Sequence, residues 1–165
     1  MTATASATDS STDVQAHPLL TQLVARHGQW VDAGNIADWR ANQQGDSVLL
    51  FAGDPIRFPE ALDVAVVLPE LQKASRSSGK PFAIAVAEPE GAEALALKFG
   101  SNRWPTLMFF RDGQYVTTLS GMHDWSDYLN LLAQALDTPV GRAPTVGIPV
   151  VSSPFNATAN SSTCH

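Results

Sequence analysis

The stretch Trp104-Pro105-Thr106-Leu107-Met108-Phe109-Phe110-Arg111-Asp112-Gly113-Gln114-Tyr115-Val116-Thr117-Thr118-Leu119 decides the fold. Two runs of apolar, aromatic and β-branched residues flank Asp112-Gly113, the dipeptide that a two-residue hairpin turn favours. Residues 106–110 and 114–119 are therefore expected as antiparallel strands. Upstream, residues 47–52 form a continuous apolar run closed by Gly53, and residues 81–87 form a second; both read as strands buried on two faces. Trp30-Val31 reads as a further short strand. Helical spacing joins Leu19, Leu20, Leu23 and Val24, with Gly28 ending that segment. Asn35 is placed to cap a helix carrying Ile36 and Trp39. After an irregular loop, Pro69 suits the first turn of a helix running through Leu71 to about Arg76. Residues 89–99 read as a helix ended by Gly100. Asp124 is placed to cap a last helix over residues 125–136, whose apolar face is Trp125, Tyr128, Leu129, Leu132 and Leu136. Strand, helix, strand, helix, strand, helix, hairpin, helix predicts an α/β fold, with a sheet parallel at first and mixed once the hairpin joins it.

Outside this core the composition changes. Residues 1–16 are nearly all Thr, Ala, Ser and Asp, with Val14 the single large aliphatic, and are expected as a disordered arm. Pro139, Pro144, Pro149 and Pro154 recur every five residues, and a polar run follows over 156–163. Proline at that spacing blocks helix and central strand, so residues 139–165 are expected as an extended, largely disordered tail, either solubilising or docking. The folded domain is thereby placed at residues 17–138 of a 165-residue chain.

Composition excludes several classes of function. Ten Lys+Arg against sixteen Asp+Glu leave a net charge of -6, which argues against binding a nucleic-acid backbone. The single cysteine, Cys164, rules out an intramolecular disulfide, a CxxC pair, a cysteine zinc site and an iron–sulfur cluster held by this chain alone. It reads as a free thiol in the tail, with an intermolecular disulfide as the alternative. His17, His27, His123 and His165 lack ligand spacing, so no metal or other cofactor is expected. His123 reads as a turn or cap residue. No run approaches the roughly 18–20 apolar residues of a membrane span, and residues 1–16 carry no Lys or Arg of a secretory signal. A cytoplasmic protein without membrane insertion is the expectation.

With Pro105 immediately before the hairpin, this order resembles the thioredoxin fold over about residues 30–137. The resemblance implies that Trp104-Pro105 stands where such proteins carry a cis-proline, facing the loop that holds their redox CxxC. Here that loop is Gly53-Asp54-Pro55-Ile56-Arg57-Phe58-Pro59-Glu60, with neither an attacking nor a resolving thiol. Three further motifs accompany it: Val66-Val67-Leu68-Pro69-Glu70-Leu71, Arg103-Trp104-Pro105-Thr106-Leu107 and Gly121-Met122-His123-Asp124-Trp125. Together they resemble the HyaE/HupG family, HoxO-like accessory proteins of nickel–iron hydrogenase maturation that are thioredoxin-like and redox-inactive. The resemblance covers about 120 residues of the chain. It implies a chaperone that binds the hydrogenase small-subunit precursor, which bears a twin-arginine signal, before export. Other maturation accessory proteins are further candidate partners.

The candidate site residues follow from that loop and its opposing strand end. Pro55 and Pro59 bracket Arg57 and stiffen the loop. It is either a turn left where an active site was lost or a recognition loop whose rigidity lowers the ordering cost of binding. Arg57 can offer a planar fork to a partner carboxylate or pair with Asp54, Glu60 or Asp63. Glu60 and Asp63, three apart, share a face if a helix begins there. With Asp54 they form an acidic group, readable as a solvated face or as a negative rim for a basic partner. No catalytic residue is expected, because no nucleophile or metal cluster supports the carboxylates. Trp30, Trp39 and Trp125 fall at core-facing positions, whereas Trp104 borders the groove. The expected partner-binding groove has Trp104 and Pro105 on one side and residues 54–60 on the other, with Asp63 on the rim. The competing expectation is a thioredoxin-like enzyme of unusual chemistry, a peroxidase or transferase using Cys164 or the carboxylates.

Overall fold

The hairpin forms around Asp112 and Gly113, both at positive φ (49° and 74°), and the rest of the sheet assembles on its first strand. The computed structural model describes residues 15–145. Ten elements follow in chain order: α1 (Pro18–His27), β1 (Trp30–Val31), α2 (Ile36–Ala41), β2 (Asp46–Phe51), α3 (Glu60–Ser77), β3 (Phe82–Ala87), α4 (Ala92–Lys98), β4 (Thr106–Arg111), β5 (Gln114–Ser120) and α5 (Trp125–Asp137). The sheet order is β1-β3-β2-β4-β5. β1 and β2 flank β3 in parallel, while β4 pairs antiparallel with both β2 and β5. This is the thioredoxin-like arrangement, and the Trp104–Pro105 peptide bond is cis.

The apolar runs explain the layering. Along β2, Val48 and Leu50 face one core cluster and Leu49 and Phe51 the other, all fully buried. Burying each such side chain stabilises the fold by about 1.5–3 kcal/mol. The first cluster is closed by Leu20 and Leu23 of α1, Val64, Leu68 and Leu71 of α3, and Tyr128 and Leu132 of α5. The second is closed by Trp39 of α2 and Ala92, Leu95 and Ala96 of α4, with Phe110 meeting Trp39, Phe99 and Tyr115 edge-on.

Four local expectations give way to tertiary packing. α3 begins at Glu60 rather than near Pro69, which lies inside the helix. The apolar stripe Ala61, Val64, Ala65, Leu68 and Leu71 is continuous on the sheet, and its burial offsets the backbone bond that proline removes. Asn35 gives α2 no side-chain cap; the Asp32 carboxylate accepts from the N–H groups of Gly34 and Asn35 at 2.7 and 2.8 Å. Asp124 likewise makes no side-chain cap to α5. Trp125 is 47% exposed, because Tyr128 supplies the buried aromatic ring of α5 and donates its hydroxyl to Gly121 O at 3.2 Å. Burial pushes the Tyr128 phenol above its ordinary pKa.

The first residues of the proline-spaced segment stay with the domain. Gly141 N–H donates to Tyr115 O on the outer edge of β5 at 2.8 Å, and Ala143 packs on the second cluster. The expected arm up to Val14, and the tail from residue 146 with Pro149, Pro154, Cys164 and His165, lie outside the described residues.

Candidate functional site

The site is built where β2 ends and α3 begins. Residues 52–59 leave the sheet without regular structure, and hydrogen bonds within the segment shape them. Asp54 is the organiser. Its carboxylate accepts from Ile56 N–H at 2.9 Å, and its carbonyl accepts from Arg57 and Phe58 N–H at 3.1 and 2.8 Å. Aspartate is suited to this because its short side chain can satisfy a backbone donor two residues on. The two prolines lock φ on either side, so Ile56 is held out at the tip. The Arg57 guanidinium lies over the Phe58 ring, 5.6 Å from its centroid, and belongs to none of the ion pairs among the described residues.

Trp104 comes to this loop from the far side. Gly53 has φ +72°, and a Cβ there would meet Trp104 Cγ at 3.0 Å and Phe58 Cδ2 at 3.2 Å. The indole therefore rests on the bare glycine backbone, its ring 6.4 Å from that of buried Phe51. Among the described residues no hydrogen-bond partner meets the backbone N–H or carbonyl of Trp104.

Trp104 walls two depressions. The larger is a cleft of about 510 Å³ between Asp54, Pro55, Ile56, Arg57 and Phe58 on one side, the start of α1 with the residues before it, and Pro89, Ala92 and Glu93 at the foot of α4. The smaller, about 350 Å³, lies among Phe58, Asn102, Arg103, Ser120 and Gly121. Asp54, Pro55, Arg57 and Trp104 thus share one cleft. Pro105 is buried beneath, and its carbonyl accepts from Gly121 N–H at 2.8 Å. Pro59, Glu60 and Asp63 sit outside the cleft lining, with both carboxylates exposed in the first turn of α3. There they face the positive end of the helix dipole.

Several walls have no signature in the sequence. Gln15 and Ala16, counted with the arm, line the cleft beside His17, whose Nδ1 accepts from Leu19 N–H at 3.2 Å and caps α1. Pro89 and Glu93 arrive through the β3–α4 turn. The signal that could have found them is topological: parallel strands deliver the residues after their C-terminal ends to one edge of the sheet. The lining of the cleft mixes apolar side chains, among them Leu20, Ile56, Phe58 and Trp104, with the charged Asp54, Arg57 and Glu93. No group of three or more metal-ligating side chains occurs among the described residues, and no helix among them is long and apolar enough to cross a membrane.

Comparison with known proteins places this chain in a family. The family described as Hydrogenase-1 expression protein HyaE matches residues 19–128. Over 149 residues the chain is 46% identical to the hydrogenase expression/formation protein HoxO of Cupriavidus necator, spanning 90% of this chain and 88% of that one. It is 38% identical over 132 residues to the hydrogenase expression/formation protein HupG of Bradyrhizobium diazoefficiens, spanning 78% and 87% of the two chains. A crystal structure described as a HupG protein of Rhodopseudomonas palustris CGA009 shares 34% identity with a TM-score of 0.45, over 65% of this chain and 93% of that one.

Proposed function

The chain belongs to the HyaE family of hydrogenase expression proteins, and from that premise we propose that it is a non-catalytic accessory protein of nickel–iron hydrogenase maturation. It binds the small-subunit precursor in the cytoplasm before twin-arginine export, through Asp54, Pro55, Arg57, Pro59, Glu60, Asp63, Trp104 and Pro105. The observation that carries this reading is Ile56, an apolar side chain 92% exposed at the tip of a self-bonded loop over a cleft walled by Trp104. Beside an open cleft that side chain adds apolar contact area for a partner, and a preorganised loop lowers the cost of ordering on binding.

The chemistry of the loop supports binding over turnover. Where a thioredoxin would hold two thiols, this chain holds Asp54, Pro55, Ile56 and Arg57, and its one cysteine is Cys164. The free backbone groups of Trp104 suit an extended segment, and Asp54, Glu60 and Asp63 give the rim a negative charge complementary to an arginine-bearing signal.

Binding of the purified chain to immobilised small-subunit precursor tests this. Trp104→Ala is expected to weaken binding tenfold or more through faster dissociation, equivalent to about 1.4 kcal/mol per decade. Glu60→Lys with Asp63→Lys is expected to slow association, most at low salt. If Trp104→Ala keeps the native circular dichroism and binds the precursor as the unaltered chain does, recognition lies on another surface.

A further inference from the structure

A third hollow opens at the opposite end of the sheet, on the α2 and α4 side of the β5 edge. It measures about 590 Å³ and is lined by Arg40, Lys98 and Arg142 together with Phe99, Tyr115 and Gly141. The chain has ten basic residues against sixteen acidic ones, yet three of the ten converge here and no carboxylate lines the hollow. None of the three takes part in an ion pair among the described residues. Arg40 is also fixed in place. Its Nε donates to Gly113 O at 2.7 Å, and its guanidinium lies 5.6 and 5.4 Å from the centroids of Phe99 and Phe110. Those contacts orient the planar group and leave its terminal NH₂ groups without a partner among the described residues. Segment 139–145 makes the outer wall, brought there by the Gly141–Tyr115 bond.

We propose that this hollow is a docking site for an acidic, extended segment of a partner protein, distinct from the cleft at Trp104. Three uncompensated cations on a chain of net charge -6 set up a local positive field that attracts carboxylates against the repulsion of the remainder. The choice of a polypeptide over a small anion follows from the walls. Lys98, Arg142, Gln114, Gly141 and Thr145 are all exposed, so the hollow cannot bury most of a small molecule's surface. It can instead meet several carboxylates spaced along a chain.

Fluorescence anisotropy of a labelled peptide of alternating glutamate and glycine, with the full-length protein as titrant, tests the site. The unaltered chain is expected to bind the peptide, more weakly as ionic strength rises. Lys98→Glu with Arg142→Glu is expected to weaken binding tenfold or more. Lys73→Glu with Arg76→Glu, at two exposed positions in the C-terminal half of α3, makes the same change in net charge and is expected to leave binding within about twofold. Both pairs alter exposed side chains, and unchanged thermal midpoints will confirm that neither disturbs the fold. Equal losses from the two pairs, no binding by the unaltered chain, or displacement of the peptide by inorganic phosphate at matched ionic strength would each overturn the proposal.

Discussion

Where β4 turns into β5, groups far apart in the chain tie to one another, whereas the loop over residues 53–59 at the other end of the sheet is held mainly by bonds to itself. At the turn, Asp112 N–H donates to Gly45 O at 2.9 Å, and Gly45 N–H donates to the Asp112 carboxylate at 2.7 Å. Arg111 reaches Asp46 at 2.8 Å, Thr138 O at 2.9 Å and Leu136 O at 2.6 Å, so one guanidinium joins the sheet to the end of α5. Lys80 pairs with Asp137 close by. At the loop, the hydrogen bonds of Asp54 span two to four residues. Long-range bonds close at the turn only when the whole domain is folded, so that end reports global stability. Local bonds at the loop survive small shifts of the domain, so the shape of the loop depends less on the global fold.

Three substitutions sharpen this contrast. The largest effect is expected at Gly113, where φ is +74° and a Cβ would collide with the Arg40 carbonyl. Gly113→Val combines left-handed strain with overpacking and should cost about 3 kcal/mol or more in denaturant unfolding. A loss under about 1 kcal/mol would show that the turn end is not what holds the domain. An intermediate effect is expected at Gly53, where the near neighbours are the Trp104 and Phe58 side chains and not backbone. Gly53→Ala should cost about 1–2 kcal/mol of stability, while precursor binding falls further as Trp104 is pushed off the loop. Retained affinity in that variant would uncouple the indole from the site. The smallest effect on stability is expected at Ile56. Ile56→Ser should leave the unfolding midpoint within about 0.5 kcal/mol and weaken binding about tenfold. An Ile56→Ser chain that binds normally would mean the loop tip does not touch the partner.

The same contrast explains what the sequence discloses. The hairpin is legible because Asp112-Gly113 states its turn chemistry locally, and β2 and β3 because their apolar runs are short and bounded. The start of α3 is not legible, since Pro59 and Pro69 signal breaks that only the sheet beneath Ala61, Val64 and Leu68 overrides. Asp32 and Asn35 are both good caps, and their geometry alone decides between them. Trp125 has the spacing of a core residue but gives that role to Tyr128. Of the site, Asp54, Pro55, Arg57 and Trp104 are readable because the loop stands in place of a thiol pair. Gln15, Pro89 and Glu93 are not, for they reach the cleft only through the path of the chain. Arg40 is as opaque, since its bond to Gly113 joins residues 73 positions apart.

The place of β2 in the sheet also has a consequence for synthesis. Both of its neighbours, β3 and β4, are translated after it, and its pairing is complete only when Arg111 can lie against Asp46. Roughly 60 residues must leave the ribosome after Phe51 before then, which takes about 3–12 s at ordinary elongation rates. Through that interval a strand whose last four residues, Val48 to Phe51, are apolar has an unpaired edge. A member of a hydrogenase expression family thus passes through its own period of vulnerability, which ends with the emergence of the hairpin.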